Sequence, residues 1–170
     1  MQVKARRDGR PRIGCMATPI QAWHDEHMEF EALLNELQRQ VDIFHAGGRP
    51  DYERMLQILS TLRERGDRSH HPREDVAFER LAKRCPDLAL ELARLQQEHR
   101  VIARAGENLY RLLSAALDEA VLRRAEVEIA AAMYLVYYGN HIAHEEETIL
   151  GRAASALTAE DWEAVRKAAG

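Results

Sequence analysis

The chain has 170 residues, 46% of them hydrophobic, which is enough for one well-buried domain and too little for two of ordinary size. Its formal net charge of −4 arises from charges of both signs that make up 31% of the chain, so no overall basic surface recommends nucleic acid as a partner. No apolar run approaches the ~18 residues of a membrane span, the N-terminus lacks the apolar core of a secretory signal, and Cys15 and Cys85 form no C-x-x-C pair, all of which fits a cytoplasmic protein with free thiols.

Residues 1–16 are basic and aperiodic and are expected to be a disordered extension ahead of a single domain over residues 17–170. The first helix opens at Thr18, Pro19 and Gln21, which suit an N-cap, a first helical position and a capping box. Its apolar stripe reads Trp23, His27, Phe30, Leu34, Leu37 and Val41, and Gly47 and Gly48 follow its end near His45. Pro50 and Asp51 open a second helix with Met55, Leu59, Leu62, His70, Glu74, Phe78 and Leu81 inward. Gly66 and Pro72 weaken its middle, and Pro72 predicts a kink near the histidines.

Pro86 and Asp87 start a third helix whose inner face is Leu88, Leu92, Leu95, His99, Ile102, Leu109 and Leu113. A fourth begins near Val121 and carries Ile129, Met133, Tyr137, His141, Glu145, Thr148 and Arg152 on one side. Thr158 caps a short fifth helix running to Ala169, with Leu157, Trp162 and Val165 as its apolar contacts across the bundle end. No strand pattern occurs. The fold class is all-α: an up-down-up-down four-helix bundle with a short C-terminal fifth helix.

The stripes contain a repeat. Glu26-His27 is followed by His70 and Glu74, and Glu98-His99 by His141 and Glu145, so each half reads E-H and then H-x-x-x-E-[D/E]. Residues four apart share a helix face, so each H-x-x-x-E aims an imidazole and a carboxylate at one point. Each of His27, His70, His99 and His141 also replaces an apolar residue in the core stripe of a different helix. Burying such groups without partners costs about 1 to 3 kcal/mol each, and more for carboxylates. Bound cations remove that cost, which makes His27, His70, Glu74, His99, His141 and Glu145 candidate metal ligands.

His71 with Asp75, and Glu146, remain alternatives to the preferred pairs. His24, His45, His71 and His144 are expected in hydrogen-bonding or surface roles, and Asp25, Glu26, Glu98 and Tyr138 as acceptors for the imidazole N–H groups. Four nitrogens and two carboxylates suit iron better than zinc. Two bridging glutamates would give eight protein bonds of the roughly twelve that two octahedral ions require, and an oxo or hydroxo bridge would leave about two positions open. A ferritin-like centre needs Glu-x-x-His, and no histidine here has a glutamate three residues before it.

The strings DEHMEFEALLNEL, HHPREDVAFERL, QQEHRVI and HIAHEEETIL resemble the motif helices of haemerythrin-like (HHE cation-binding) domains, over about residues 17–152. The resemblance implies a four-helix bundle around a non-haem di-iron centre held by His27, His70, Glu74, His99, His141 and Glu145, with both glutamates bridging. It implies two iron ions, oxo- or hydroxo-bridged, and dioxygen or another small diatomic or peroxide ligand, in a monomer or homodimer. Oxygen-carrying haemerythrins place a second histidine one turn after the first on the third motif helix, where this chain has Ala103. They also place an aspartate five residues after the fourth motif's histidine, where Glu146 follows Glu145. These departures favour oxygen, redox or iron sensing or handling over reversible carriage. The alternative is a di-iron oxidoreductase reducing peroxide or nitric oxide, or a protein of iron–sulfur cluster repair.

Overall fold

A computed structural model describes residues 19–118 and 123–168. Residues 1–16, Thr18 as a cap, the start near Val121 and Ala169 lie outside the described residues. Helix α1 spans Pro19–His45 and ends where Gly47 adopts a positive φ of 81°. The second rod has three parts in one continuous run: α2 (Tyr52–Leu62), a π-helical segment (Arg63–His70) and α3 (His71–Arg84). Asp51 caps it by accepting from the Arg54 N–H at 2.9 Å. A 3₁₀ turn (Pro86–Leu88) leads into α4 (Ala89–Leu117). Then follow α5 (Arg124–His144), a second π-helical segment (Glu145–Ile149), α6 (Leu150–Ala156) and α7 (Ala159–Lys167). No strand occurs among the described residues, so the all-helical reading holds.

Side-chain links tie each rod to its neighbours. Glu36 pairs with Arg54 and Glu26 with Arg73 between the first two rods. Arg63 pairs with Glu107 and Asp75 with His99 between the second rod and α4. Glu98 pairs with His141 and Glu91 with His144 between α4 and α5. Arg124 donates to the Phe44 carbonyl, and Glu146 meets His27, between α1 and the run starting at α5. In every pair, residue numbers rise on one rod as they fall on the other. Helix α7 lies against α3, held by a capping box between Thr158 and Asp161 and by Arg80 and Arg84 on Asp161.

The core has two apolar clusters. One centres on Phe30, Leu37, Ile58, Leu62, Leu109 and Leu113, the other on Trp23, Phe78, Leu81, Leu92, Leu95 and Ile149. Along α1 the sequence passes from the second cluster to the first at His27, and along α4 at His99 between Leu95 and Ile102. A polar layer therefore crosses the middle of the bundle.

One expectation gains detail and one is corrected. Where a kink was expected near the histidines, a π-helical stretch precedes Pro72, and in it the His71 N–H bonds to the Gly66 carbonyl five residues back. A wider turn suits a following proline, which has no N–H to give and whose ring crowds the carbonyl four residues earlier. The inner face of α5 is Val127, Ala130, Ala131, Tyr134, Tyr138, His141 and Ile142. Ile129, Met133 and Tyr137, expected inward, are exposed, as are Thr148 and Arg152. Helix α5 is apolar around most of its circumference, so hydrophobic period alone cannot choose between its faces.

Candidate metal centre

All six side chains proposed from sequence meet in the polar layer, and all are at most 5% exposed. Nε2 of His27 and Nε2 of His70 approach to 2.9 Å, and Oε1 of Glu74 lies 2.9 Å from His70 and 3.5 Å from His27. The other oxygen of Glu74 turns to His99, 3.4 Å from its Nε2. Glu145 mirrors this arrangement: one oxygen is 3.4 Å from His27, while the other is 3.1 Å from His141 and 3.7 Å from His99. Each glutamate thus faces two sets of imidazoles.

A seventh side chain joins them. His71, expected in a hydrogen-bonding or surface role, is 3% exposed and stacks on His99 with centroids 4.1 Å apart and planes 9° from parallel. His71, Glu74, His99 and His141 each place a ligand atom within 4.8 Å of the others, and so do His27, His70 and Glu74. The reason lies in the π-helical segment. Consecutive residues on an α-helix point about 100° apart; here the widened turn ends at His70 and both His70 and His71 are buried. Gly66, inside this segment, permits close packing, since a Cβ there would stand 2.2 Å from the Tyr138 hydroxyl. The second π-helical segment begins at Glu145, so both H-x-x-x-E motifs adjoin one.

The Nδ1 atoms face outward onto carboxylates. Glu26 takes His70, Asp75 takes His99 at 2.8 Å, Glu98 takes His141 at 3.2 Å and Glu146 takes His27 at 2.7 Å. The pattern respects the repeat: the glutamate of each E-H serves its own half, and the acid after each H-x-x-x-E serves the other half. An Nδ1–H donating outward leaves the Nε2 lone pair inward, ready for a cation. Arg73 holds Glu26 and Arg94 holds Glu98. Asp75 and Glu146, weighed above as alternative ligands, occupy this outer ring. Asp67 stands 3.4 Å from Nδ1 of His71. His24 bonds Glu146, His45 bonds Glu128 and His144 bonds Glu91, all away from the Nε2 cluster. Asp25 bonds Gln21 at the surface, and the Tyr138 hydroxyl is buried with no hydrogen-bond partner.

The buried carboxylates make the cluster favour positive charge, whether a proton or a metal ion. Burial disfavours charge on His70, but Glu74 and Glu26 outweigh it and lift the pKa to about 9. Asp75, Glu145 and Glu74 raise His99 to about 11 against the same opposition, and Glu145 and Glu98 raise His141 to about 9. Burial pushes the carboxyl of Glu74 up, yet the facing imidazoles of His70, His27 and His99 hold it well below the usual range. Burial and the charge of Glu74 likewise push Glu145 up, and His141 and His99 bring it lower. His71 differs, because burial lowers it to about 4 and Asp67 offsets this only in part, which keeps its imidazole neutral.

Hydrogen bonding within the protein does not satisfy the layer. Both oxygens of Glu74, both oxygens of Glu145, and Nε2 of His99 and of His141 are buried without a hydrogen-bond partner. A buried group without a hydrogen bond costs about 1 to 3 kcal/mol, a deficit that the facing imidazoles, 2.9 to 3.7 Å from the carboxylate oxygens, offset by charge alone. Inward-facing imidazole nitrogens and carboxylate oxygens fit bound metal ions, which would remove it.

The sequence model described as Hemerythrin HHE cation binding domain matches residues 18–153. Comparisons with curated proteins and with solved structures gave no match. With a matched span that takes in the whole polar layer, the chain belongs to the haemerythrin HHE cation-binding family.

Proposed function

We propose that this chain is a non-haem di-iron protein that binds dioxygen or a related small ligand, built as an up-down-up-down four-helix bundle with a short C-terminal fifth helix. The observation that carries the reading is the pair of buried glutamates. Each lacks hydrogen-bond partners and each spans two groups of inward Nε2 atoms, as two shared cations require. Nitrogen with carboxylate favours iron, and no cysteine joins the cluster among the described residues.

His71, His99 and His141 would hold one ion and His27 and His70 the other, with Glu74 and Glu145 shared. Five nitrogens and four oxygens make nine protein bonds of about twelve, and a bridging solvent oxygen would leave about one position. His27 and His70 supply one imidazole fewer than the other group, so exchangeable chemistry would be expected on their side. His71 thus provides a fifth nitrogen from the second rod, whereas position 103 on α4 is alanine. When bound, an iron pair supplies an exchangeable coordination position and electrons for a small ligand. Around it, Trp23 and Phe30 pack edge-on to His70, with centroids 6.0 and 5.2 Å away, and keep that side dry. Glu26 and Glu146 accept the Nδ1 protons of His70 and His27 and fix their rings.

Metal analysis and optical spectra of the iron-reconstituted chain, in the reduced state and after dioxygen, nitric oxide or azide, test the reading. The expected result is about two irons per chain, a spectrum that changes with each ligand, and a lower iron content in His71→Ala. Iron well below this ratio, or a firm preference for zinc, would overturn it. Sustained consumption of peroxide or nitric oxide with an added reductant would favour an enzyme over a binding protein.

A further inference from the structure

Among the described residues, six of the ten buried side-chain atoms that lack a hydrogen-bond partner belong to Glu74, Glu145, His99 and His141, where metal ions would serve them. Metal does not account for the other four, which are Nε of Arg63, Oδ1 of Asp67, Nδ1 of His71 and the Tyr138 hydroxyl. Three of these share one face of the second rod, because Arg63, Asp67 and His71 are four residues apart. Exposure falls along that face, from 36% for the Arg63 side chain to 13% for Asp67 and 4% for His71. The face leads from the surface to an imidazole of the metal layer.

His71 differs from the other four imidazoles in its outer partner. Each of those has a carboxylate oxygen within 3.2 Å of its Nδ1, whereas Asp67 stands 3.4 Å from Nδ1 of His71 and makes no hydrogen bond to it. Three of the four close carboxylates are held in turn, Glu26 by Arg73, Glu98 by Arg94 and Glu146 by His24. Asp67 has Arg63 one turn before it, but that guanidinium bonds Glu107 at 3.2 Å and lies over the Tyr110 ring. Its Nε is 4.0 Å from Glu64, too far for a hydrogen bond.

Between the two groups is a cavity of about 10 Å³, lined by Arg63 and Asp67 together with Leu59, Gly106 and Tyr134. That is room for about one water molecule. Arg63 opposes a bare cation there and Asp67 a bare anion, so a neutral molecule that both accepts and donates is what fits. Burial keeps the His71 imidazole neutral, so it has a single N–H to give. With that proton on Nδ1, the Nε2 lone pair faces a metal ion.

We propose that this cavity binds a water molecule joining Arg63 Nε–H to the Asp67 carboxylate, and that Asp67, so held, is the positioning residue of His71, accepting its Nδ1–H and aiming Nε2 into the layer. The inference rests on the metal reading and deepens it: His71 is the ligand steadied from the surface through a solvent molecule.

Anaerobic titration of the metal-free chain with cobalt(II), followed by its visible spectrum, provides the test. Asp67→Ala should weaken binding by about ten- to a hundredfold, the usual effect of losing the outer partner of a metal-bound imidazole. Asp67→Asn keeps an acceptor oxygen and should recover part of the loss. In a His71→Ala background, Asp67→Ala should change little, because the two side chains act as a unit. Arg63→Leu should weaken binding by less than Asp67→Ala, and Glu107→Gln, which touches only the outer end of Arg63, should leave it unchanged. Circular dichroism should show every variant helical. Without metal, nitrogen NMR should find the His71 proton on Nδ1 in the parent and shifted toward Nε2 in Asp67→Ala. A crystal structure should place an ordered water within hydrogen-bonding distance of both Arg63 Nε and Asp67.

Equal cobalt affinity in parent and Asp67→Ala would overturn the proposal. So would equal losses with and without His71, which would mark Asp67 as structural only. A parent that took up no metal would sink the metal reading, and the ring proton then decides this one: a proton that stayed on Nδ1 whatever stood at position 67 would overturn it. A dry cavity in the crystal would overturn the water bridge.

Discussion

Leu109 and Glu74 are both fully buried, in neighbouring layers of one bundle, for opposite reasons. Around Leu109 the core is aliphatic and aromatic, and each buried side chain contributes about 1.5 to 3 kcal/mol by leaving water. Around Glu74 it is imidazole and carboxylate, and burial costs free energy that charge pairing with the imidazoles offsets while well-formed hydrogen bonds to its oxygens are lacking. The apolar layers can fold the chain without help. The polar layer sits between them as a local debt, tolerated because two dry clusters flank it and because a cation can cancel it. The difference teaches that stability and function are separated along the bundle axis, and each can be perturbed alone.

The largest effect should come from the dry layer. Leu109→Ala is expected to cost up to ~5 kcal/mol through lost transfer energy and a cavity, by the same amount with and without metal. Chemical denaturation of both forms, with iron content measured alongside, checks this. A Leu109→Ala protein that kept its stability but lost iron would erase the distinction between the layers.

Next comes metal itself. Binding to the folded state alone adds RT ln(1 + [L]/Kd), about 4 kcal/mol at a thousandfold excess over the dissociation constant. The double substitution of Glu74 and Glu145 by Ala should abolish most of that increment and most of the iron. Without iron the variant should be less stable than the parent near neutral pH, because the imidazoles of His27, His70, His99 and His141 lose the carboxylates that face them. Equal melting temperatures for apo and iron-loaded parent would show that the polar layer is not a metal site.

The same contrast explains what could be read from sequence. The apolar stripes of α1, α3 and α4 alternate sharply with charged faces, so their buried residues, including His27, Glu74 and His99, follow from helical period alone. The repeated E-H and H-x-x-x-E spacing brought the six candidate side chains into view because an α-helix returns to one face after four residues. His71 was legible only as an alternative, paired with Asp75, and not as an addition to His70, since its burial beside His70 accompanies a π-helical turn that closes on Tyr138 at Gly66. The only signal was a histidine pair directly before a proline inside a long helical stretch. The orientation of α5 was hidden for another reason: its outer face is as apolar as its inner one. His141 and Glu145 lie on both readings of that helix, which is why the site emerged while the face around it did not.

Gly66 allows a smaller and sharper test of the boundary between the layers. An alanine there gains about 1 kcal/mol of helix propensity, but its Cβ would lie 2.2 Å from the Tyr138 hydroxyl. Overpacking at about 1 to 3 kcal/mol should win, so Gly66→Ala is expected to lower the melting temperature. Removing the hydroxyl with Tyr138→Phe in the same chain should recover most of the loss. If Gly66→Ala were neutral alone, the close approach of α5 to the π-helical turn would not be what requires glycine.

The smallest effect concerns another buried carboxylate, which serves as the control for Glu74. Asp161 is 4% exposed, yet it is satisfied by the protein: it accepts from the Thr158 backbone N–H at 2.9 Å, from Arg80 at 3.0 Å and from Arg84 at 2.6 Å. The Thr158 N–H and then the two guanidinium groups hold its carboxyl far below the usual range, against the pull of burial. A depressed folded-state pKa contributes stability that is present above the unfolded value, about 3.9 for Asp, and is lost as pH falls through the folded value. Asp161→Asn should therefore cost about 1 kcal/mol near neutral pH, and parent and variant should converge in strong acid. The gap should not respond to metal, because α7 packs on α3 outside the polar layer. Melting curves from neutral to acidic pH, with and without iron, decide the matter. A gap that closed on adding iron would tie Asp161 to the centre, whereas one that persisted unchanged into strong acid would mean that packing rather than charge holds α7 in place.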